Sequence, residues 1–138
     1  MDADYKKLKL GWRASGLDRE QSLHLLFLAW MHWADPPFVT GMAHDPEAVN
    51  LWHEIYGKFG GSDSEDAEFL YVAGLMAHLF PYALGDEKAW EEKAVLLKKK
   101  SREKLPVGFS PEDFEGRGDY GEYFAMQAKV SDDFTGAP

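Results

Sequence analysis

Histidine and carboxylate are the metal-binding groups that this chain has to offer, because it contains no cysteine. The same absence removes a thiolate nucleophile, a disulfide framework and a zinc–cysteine site. His24, His32 and Asp35 fall on roughly one face of a helix, within about 80° at 100° per residue. His24 and His32 are nevertheless separated by about 12 Å along a helix axis, too far to share one ion directly. His32 and Asp35, at i and i+3, could do so with help from His53 or His78. No HExxH or paired ExxH motif supports that site, and a buried histidine bonded to a carboxylate or carbonyl is the simpler reading. No metal and no cofactor is expected. Trp33 stands beside His32 and Asp35, just before Pro36-Pro37-Phe38. His32, Trp33 and Asp35 are therefore the corner where a small-molecule or metal-dependent pocket would form, with a plain hydrophobic lid as the alternative.

The remaining chemistry is carboxylate, arginine and phenol. Glu65, Asp66 and Glu68, or Asp35 and Asp45, could in principle do acid–base work. Each lies at a helix start or in a loop, where capping and the helix dipole account for it. No activated-serine elbow, phosphate-binding glycine loop or kinase-like set is present. Arg117 stands between Gly116 and Gly118 in an acidic stretch that also holds Tyr120 and Tyr123. Arginine and tyrosine are the side chains that anchor protein interfaces. Flanking glycines suggest that Arg117 is exposed; an internal pair with a carboxylate is the competing reading. Arg117, Tyr120 and Tyr123, with the acidic loop residues Asp63, Glu65 and Asp66, are the candidate partner-binding set.

Charge narrows the partner. The net charge is −9. Residues 14–85 hold ten acids against Arg19 and Lys58, and residues 106–138 hold seven against Arg117 and Lys129. Positive charge gathers at Lys6, Lys7, Lys9 and Arg13, and again from Lys88 to Lys104. A mostly acidic surface repels phosphate backbones, which argues against nucleic acid, and speeds encounter with a basic protein. Acidity that only maintains solubility is the bland alternative. The run Leu23–Ala34, broken by His24 and His32, is shorter than the ~20 residues a membrane span needs. Met1-Asp2-Ala3-Asp4 is acidic where a secretory signal would be basic, so a cytoplasmic protein is expected.

The elements that must position these residues are helices. With 45% hydrophobic and 14% aromatic residues, 138 residues suffice for one domain with its own core. Asp18 and Gln21 form a capping box for a helix that ends near Ala34, before Asp35-Pro36-Pro37. Asp45-Pro46-Glu47 opens a second, carrying Ala48, Trp52, Ile55 and Phe59 at helical spacing up to Gly60-Gly61. Ser62 with Glu65 reads as the box of a third, apolar nearly all round to Phe80 and so central. Ala73, Gly74 and Ala77 give it a stripe of small residues. Asp86 caps a fourth helix, whose Trp90, Ala94, Leu97 and Ser101 form one stripe. Ser110-Pro111-Glu112-Asp113 can start a short helix, and Asp119 with Glu122 caps a last one from Tyr120 to about Val130. Residues 1–17 have no decisive period and read as an arm or short helix, and residues 131–138 read as a frayed tail. The expected fold is all-α, an irregular bundle of about five helices in a single domain, 1–138.

The chain resembles the small, acidic, helical immunity proteins with which bacteria neutralise toxins. The residues that carry the resemblance are the tract Gly60-Gly61-Ser62-Asp63-Ser64-Glu65-Asp66-Ala67-Glu68-Phe69-Leu70 and the segment from Phe114 to Phe124. No motif defines that class, so no residue role carries over. The resemblance implies a non-enzymatic inhibitor that occludes a toxin's active site with an acidic, aromatic-rich face. Two rival readings are an enzyme or ligand-binding domain built on the His32/Trp33/Asp35 corner, and a helical adaptor or scaffold subunit.

Overall fold

A computed structural model describes residues 2–34 and 45–130. Among them the secondary structure is entirely helical: α1 (Asp2–Ala14), α2 (Arg19–Ala34), α3 (Ala48–Lys58), α4 (Ala67–Leu79), α5 (Pro81–Leu84), α6 (Glu87–Lys104) and α7 (Gly118–Val130), with 3-10 turns at Gly61–Asp63 and Pro111–Phe114. That is seven helices where the sequence suggested about five. The additions are α1 and the single turn α5, which Pro81 opens directly after α4. The chain divides into two compact units, Met1–Tyr56 and Gly57–Pro138. The tail expected to fray, 131–138, lies outside the described residues.

In the first unit, α2 starts as its box dictates. Asp18 accepts from the Gln21 amide at 2.7 Å, and the Gln21 side chain accepts in return from the Asp18 amide at 3.4 Å. Leu23 and every residue from Leu25 to His32 are buried. From α3, Ala48, Leu51, Trp52 and Ile55 are buried, one face of a helix, with Tyr56 stacked on Trp52. Helix α1 is different in kind, since Tyr5 is its one buried residue among those described. Tyr5, Lys9 and Arg13 recur every fourth residue and so share a face. The Tyr5 hydroxyl donates to Asp45 at 2.5 Å, Lys9 reaches Asp45 at 2.8 Å and Glu47 at 3.0 Å, and Arg13 reaches Glu54 at 2.7 Å. A polar latch therefore ties α1 to the start and middle of α3.

In the second unit, Gly60 (φ 101°) turns the chain into the first 3-10 turn in a conformation that an L side chain resists. Helix α4 then begins later than Ser62 and Glu65 suggested. Its cap is Asp66, whose carboxylate accepts from the Glu68 and Phe69 amides at 3.1 Å each. Every residue from Phe69 to Ala77 is buried, as the all-round apolar pattern requires. Helix α6 packs along α4, capped by Asp86 at the Ala89 amide, and its stripe Trp90, Ala94, Leu97 and Ser101 is buried. The Ser101 hydroxyl donates to the Ala67 carbonyl at 3.0 Å. The turn Pro111–Phe114 has its own capping box, Ser110 with Asp113. It packs on α7 through Phe114, whose ring meets Tyr120 and Phe124. Helix α7 begins at Gly118, so Asp119 sits inside its first turn and is not its cap.

Candidate functional site

The two stretches singled out for partner binding, 62–68 and 117–123, meet in the second unit at the first turn of α4. The junction is Glu68. Its carboxylate accepts from the Arg117 guanidinium and from the Tyr120 hydroxyl, both at 2.6 Å. Arg117 also donates to the Asp113 carbonyl at 3.2 Å and lies 5.2 Å from the Tyr120 ring centroid. The expectation that glycines expose Arg117 is therefore corrected. Gly116 (φ 74°) and Gly118 (φ 68°) both take left-handed backbone, curling the chain so that the guanidinium returns to Glu68. Arg117 retains 20% of its side-chain exposure, and Tyr120 is buried. Tyr123 is half-buried, its ring edge-on to Phe124.

The acids of the 62–68 stretch have separate tasks. Asp66 is occupied as the cap of α4. Lys104 of α6 pairs with Glu65 at 2.8 Å, and that hydrogen bond holds the Glu65 carboxyl below the usual carboxylate range. Lys100 donates to the Ser62 carbonyl at 2.6 Å and lies 3.5 Å from Asp63. Between these partners opens a polar cleft of about 490 Å³, lined by Ser62, Asp63, Ser64 and Glu65 on one side and Lys100, Glu103 and Lys104 on the other. Both charge signs line it, which suits neither a strong anion site nor a strong cation site. Glu65 and Asp63 remain largely exposed beyond their lysines. Lys100 and Lys104 are outside the candidate set taken from the sequence, where the lysine run at the end of α6 is their one signal.

In the first unit, His32 is buried and lies tilted by 30° against the Tyr5 ring with centroids 3.8 Å apart, its Nε2 3.6 Å from an Asp2 carboxylate oxygen. His24 bonds instead to Glu20, one turn earlier, at 2.9 Å. Trp33 is half-buried, and Asp35, the third member of that corner, lies outside the described residues. Among the described residues no group of three or more histidines and acids could hold a metal ion. The stronger polar cluster of this unit is the latch around Asp45. Partial burial pushes the Asp45 carboxyl up, but hydrogen bonds from Lys9, Tyr5 and the Glu47 amide outweigh that and bring it to about 2. Burial, then the bond to Asp45, raises the Tyr5 phenol far above its ordinary value. A phenol held so firmly protonated is a structural donor and a poor base.

Compared with protein-family models, with curated proteins and with solved structures, the chain matches none. Among the described residues no helix is long and apolar enough to cross a membrane.

Proposed function

We propose that this chain is a non-enzymatic protein-binding protein, an inhibitor of the immunity type that covers the active site of a toxin or other enzyme with a basic surface. One observation carries the reading. Glu112, Glu115, Asp119 and Glu122 are exposed around the start of α7, while Arg117, the single arginine among them, is committed to Glu68. The segment thus offers negative charge from a backbone fixed by an internal clamp. A preorganised surface loses little freedom on binding, and clustered charge raises the rate of productive encounter. In this reading Arg117 and Tyr120 hold the surface in shape, and Tyr123 touches the partner. Asp63 and Glu65 contribute charge at its margin. The same reading takes the protein as cytoplasmic, with which a chain free of cysteine is compatible.

The test is affinity capture from the native host, identification of the captured protein, and titration of that protein's activity with this chain. The expected result is a basic partner whose activity falls to baseline at one equivalent. An acidic partner, a partner whose activity is unaffected, or turnover of a small molecule by the chain itself would each contradict the proposal.

A further inference from the structure

We infer that the outer face of α7 is the docking surface, and that its occupant is a basic protein surface with an apolar patch at its centre. The inference rests on the protein-binding reading above and gives it a location. At about 100° per residue, Asp119, Tyr123, Met126 and Val130 fall within an arc of about 60°. That arc lies opposite Tyr120, Gly121, Phe124 and Ala128, the buried residues of the helix. Met126 is 61% exposed and Val130 69% exposed, with Tyr123 half-buried beside them. The spacing i, i+3, i+7 makes them one continuous apolar stripe, not scattered residues. Of the other large exposed apolar side chains of the described residues, Leu10, Tyr82 and Val107 lie on separate elements, and Val95 and Leu96 are consecutive on α6, about 100° apart around the helix, so none forms a stripe of this length.

Charge selects the occupant. Asp119 and Glu122 flank the stripe at the helix start, and Glu112 and Glu115 are exposed in the preceding segment. Interfaces place apolar and aromatic side chains, methionine included, at the centre and charges at the rim; here Asp119 and Glu122 border the stripe at the start of the helix and Lys129 at its end, so the border is net acidic. The exposed acids Glu112, Asp113, Glu115, Asp119 and Glu122 outnumber the one exposed base of the segment, Lys129, so net like charge opposes self-association. The helix is also held stiffly. Phe114, Tyr120 and Phe124 pack together beneath it, and Arg117 and Tyr120 fasten its first turn to Glu68.

The experiment uses the full chain with p-benzoylphenylalanine replacing Met126, and a control with it replacing Val95, an exposed apolar residue of α6. Each is irradiated in native-host lysate. The expected result is an adduct with one basic protein from position 126 and none from position 95, suppressed by about 0.5 M salt. Met126→Asp combined with Val130→Asp should then weaken binding of that purified protein by about ten-fold or more, with an unchanged thermal melt. An adduct between two copies of this chain, an adduct with an acidic protein, or equal yields from both positions would overturn the assignment. An adduct from position 95 alone would overturn the α7 surface and leave the protein-binding reading standing. No adduct at either position also overturns the α7 surface, and if affinity capture recovers no partner, the wider reading falls with it.

Discussion

At the scale of single residues, the second unit depends on a close approach at Gly121. A Cβ placed there would run into the Phe114 carbonyl oxygen and come within 2.8 Å of the Arg117 Cβ. The obstacle is backbone, so it cannot swing aside like the end of a flexible side chain. Gly121→Ala should therefore destabilise the protein by about 1–3 kcal/mol, despite the ~1 kcal/mol that alanine favours in a helix. A denaturant melt of that variant checks this, and equal or greater stability would show that the turn shifts freely. Asp45 supplies a second residue-scale prediction. Its pKa of about 2 lies below the ordinary 3.8, so its contribution is complete above pH 3.8 and is lost as pH falls through the folded value. The side chain is 19% exposed, and the shift corresponds to about 2 kcal/mol at most. Urea stability measured between neutral pH and pH 2 should fall less steeply below pH 4 for Asp45→Asn, which keeps a capping side chain but no titrating group.

At the scale of elements, what the sequence revealed and what it hid have a common cause. Helices whose buried face is apolar were legible: α6 buries the stripe read from Trp90 to Ser101, and α4 is buried all round from Phe69 to Ala77. Helix α1 was not legible, because the face it turns to α3 is Tyr5, Lys9 and Arg13, which carries no hydrophobic period. The start of α4 was misplaced by a few residues because Ser62 with Glu65 and Asp66 with its own amide partners both satisfy a capping pattern. In the structure Gly61–Asp63 is a 3-10 turn and the Glu65 carboxylate is paired with Lys104, while Asp66 is the side chain that caps the helix. The candidate site shows the same limit. Composition identified both stretches, but the Glu68–Arg117 bond that joins them spans 49 residues and leaves no local trace. Tyr123, Met126 and Val130, in contrast, could have been read from helical spacing alone. Gly74 is buried, so Gly74→Leu should cost on the order of 1–3 kcal/mol or more. A thermal melt equal to the parent's would remove α4 from the core.

At the scale of the whole molecule, the account turns on charge. At least five of the fifteen lysines and arginines pair with carboxylates across elements: Lys9 and Arg13 within the first unit, Lys100, Lys104 and Arg117 within the second. The acids of the segment leading into α7 stay exposed. A surface of that kind should accelerate association with a basic partner through long-range attraction, an effect that salt screens over a Debye length of about 10 Å at 0.1 M and about 3 Å at 1 M. The most direct measurement is the association rate with the captured partner as a function of ionic strength. The account predicts a fall of about ten-fold or more between low and high salt while the dissociation rate changes little, with a shallower slope after Asp119→Asn and Glu122→Gln. An association rate independent of salt, or one that rises with it, would contradict it.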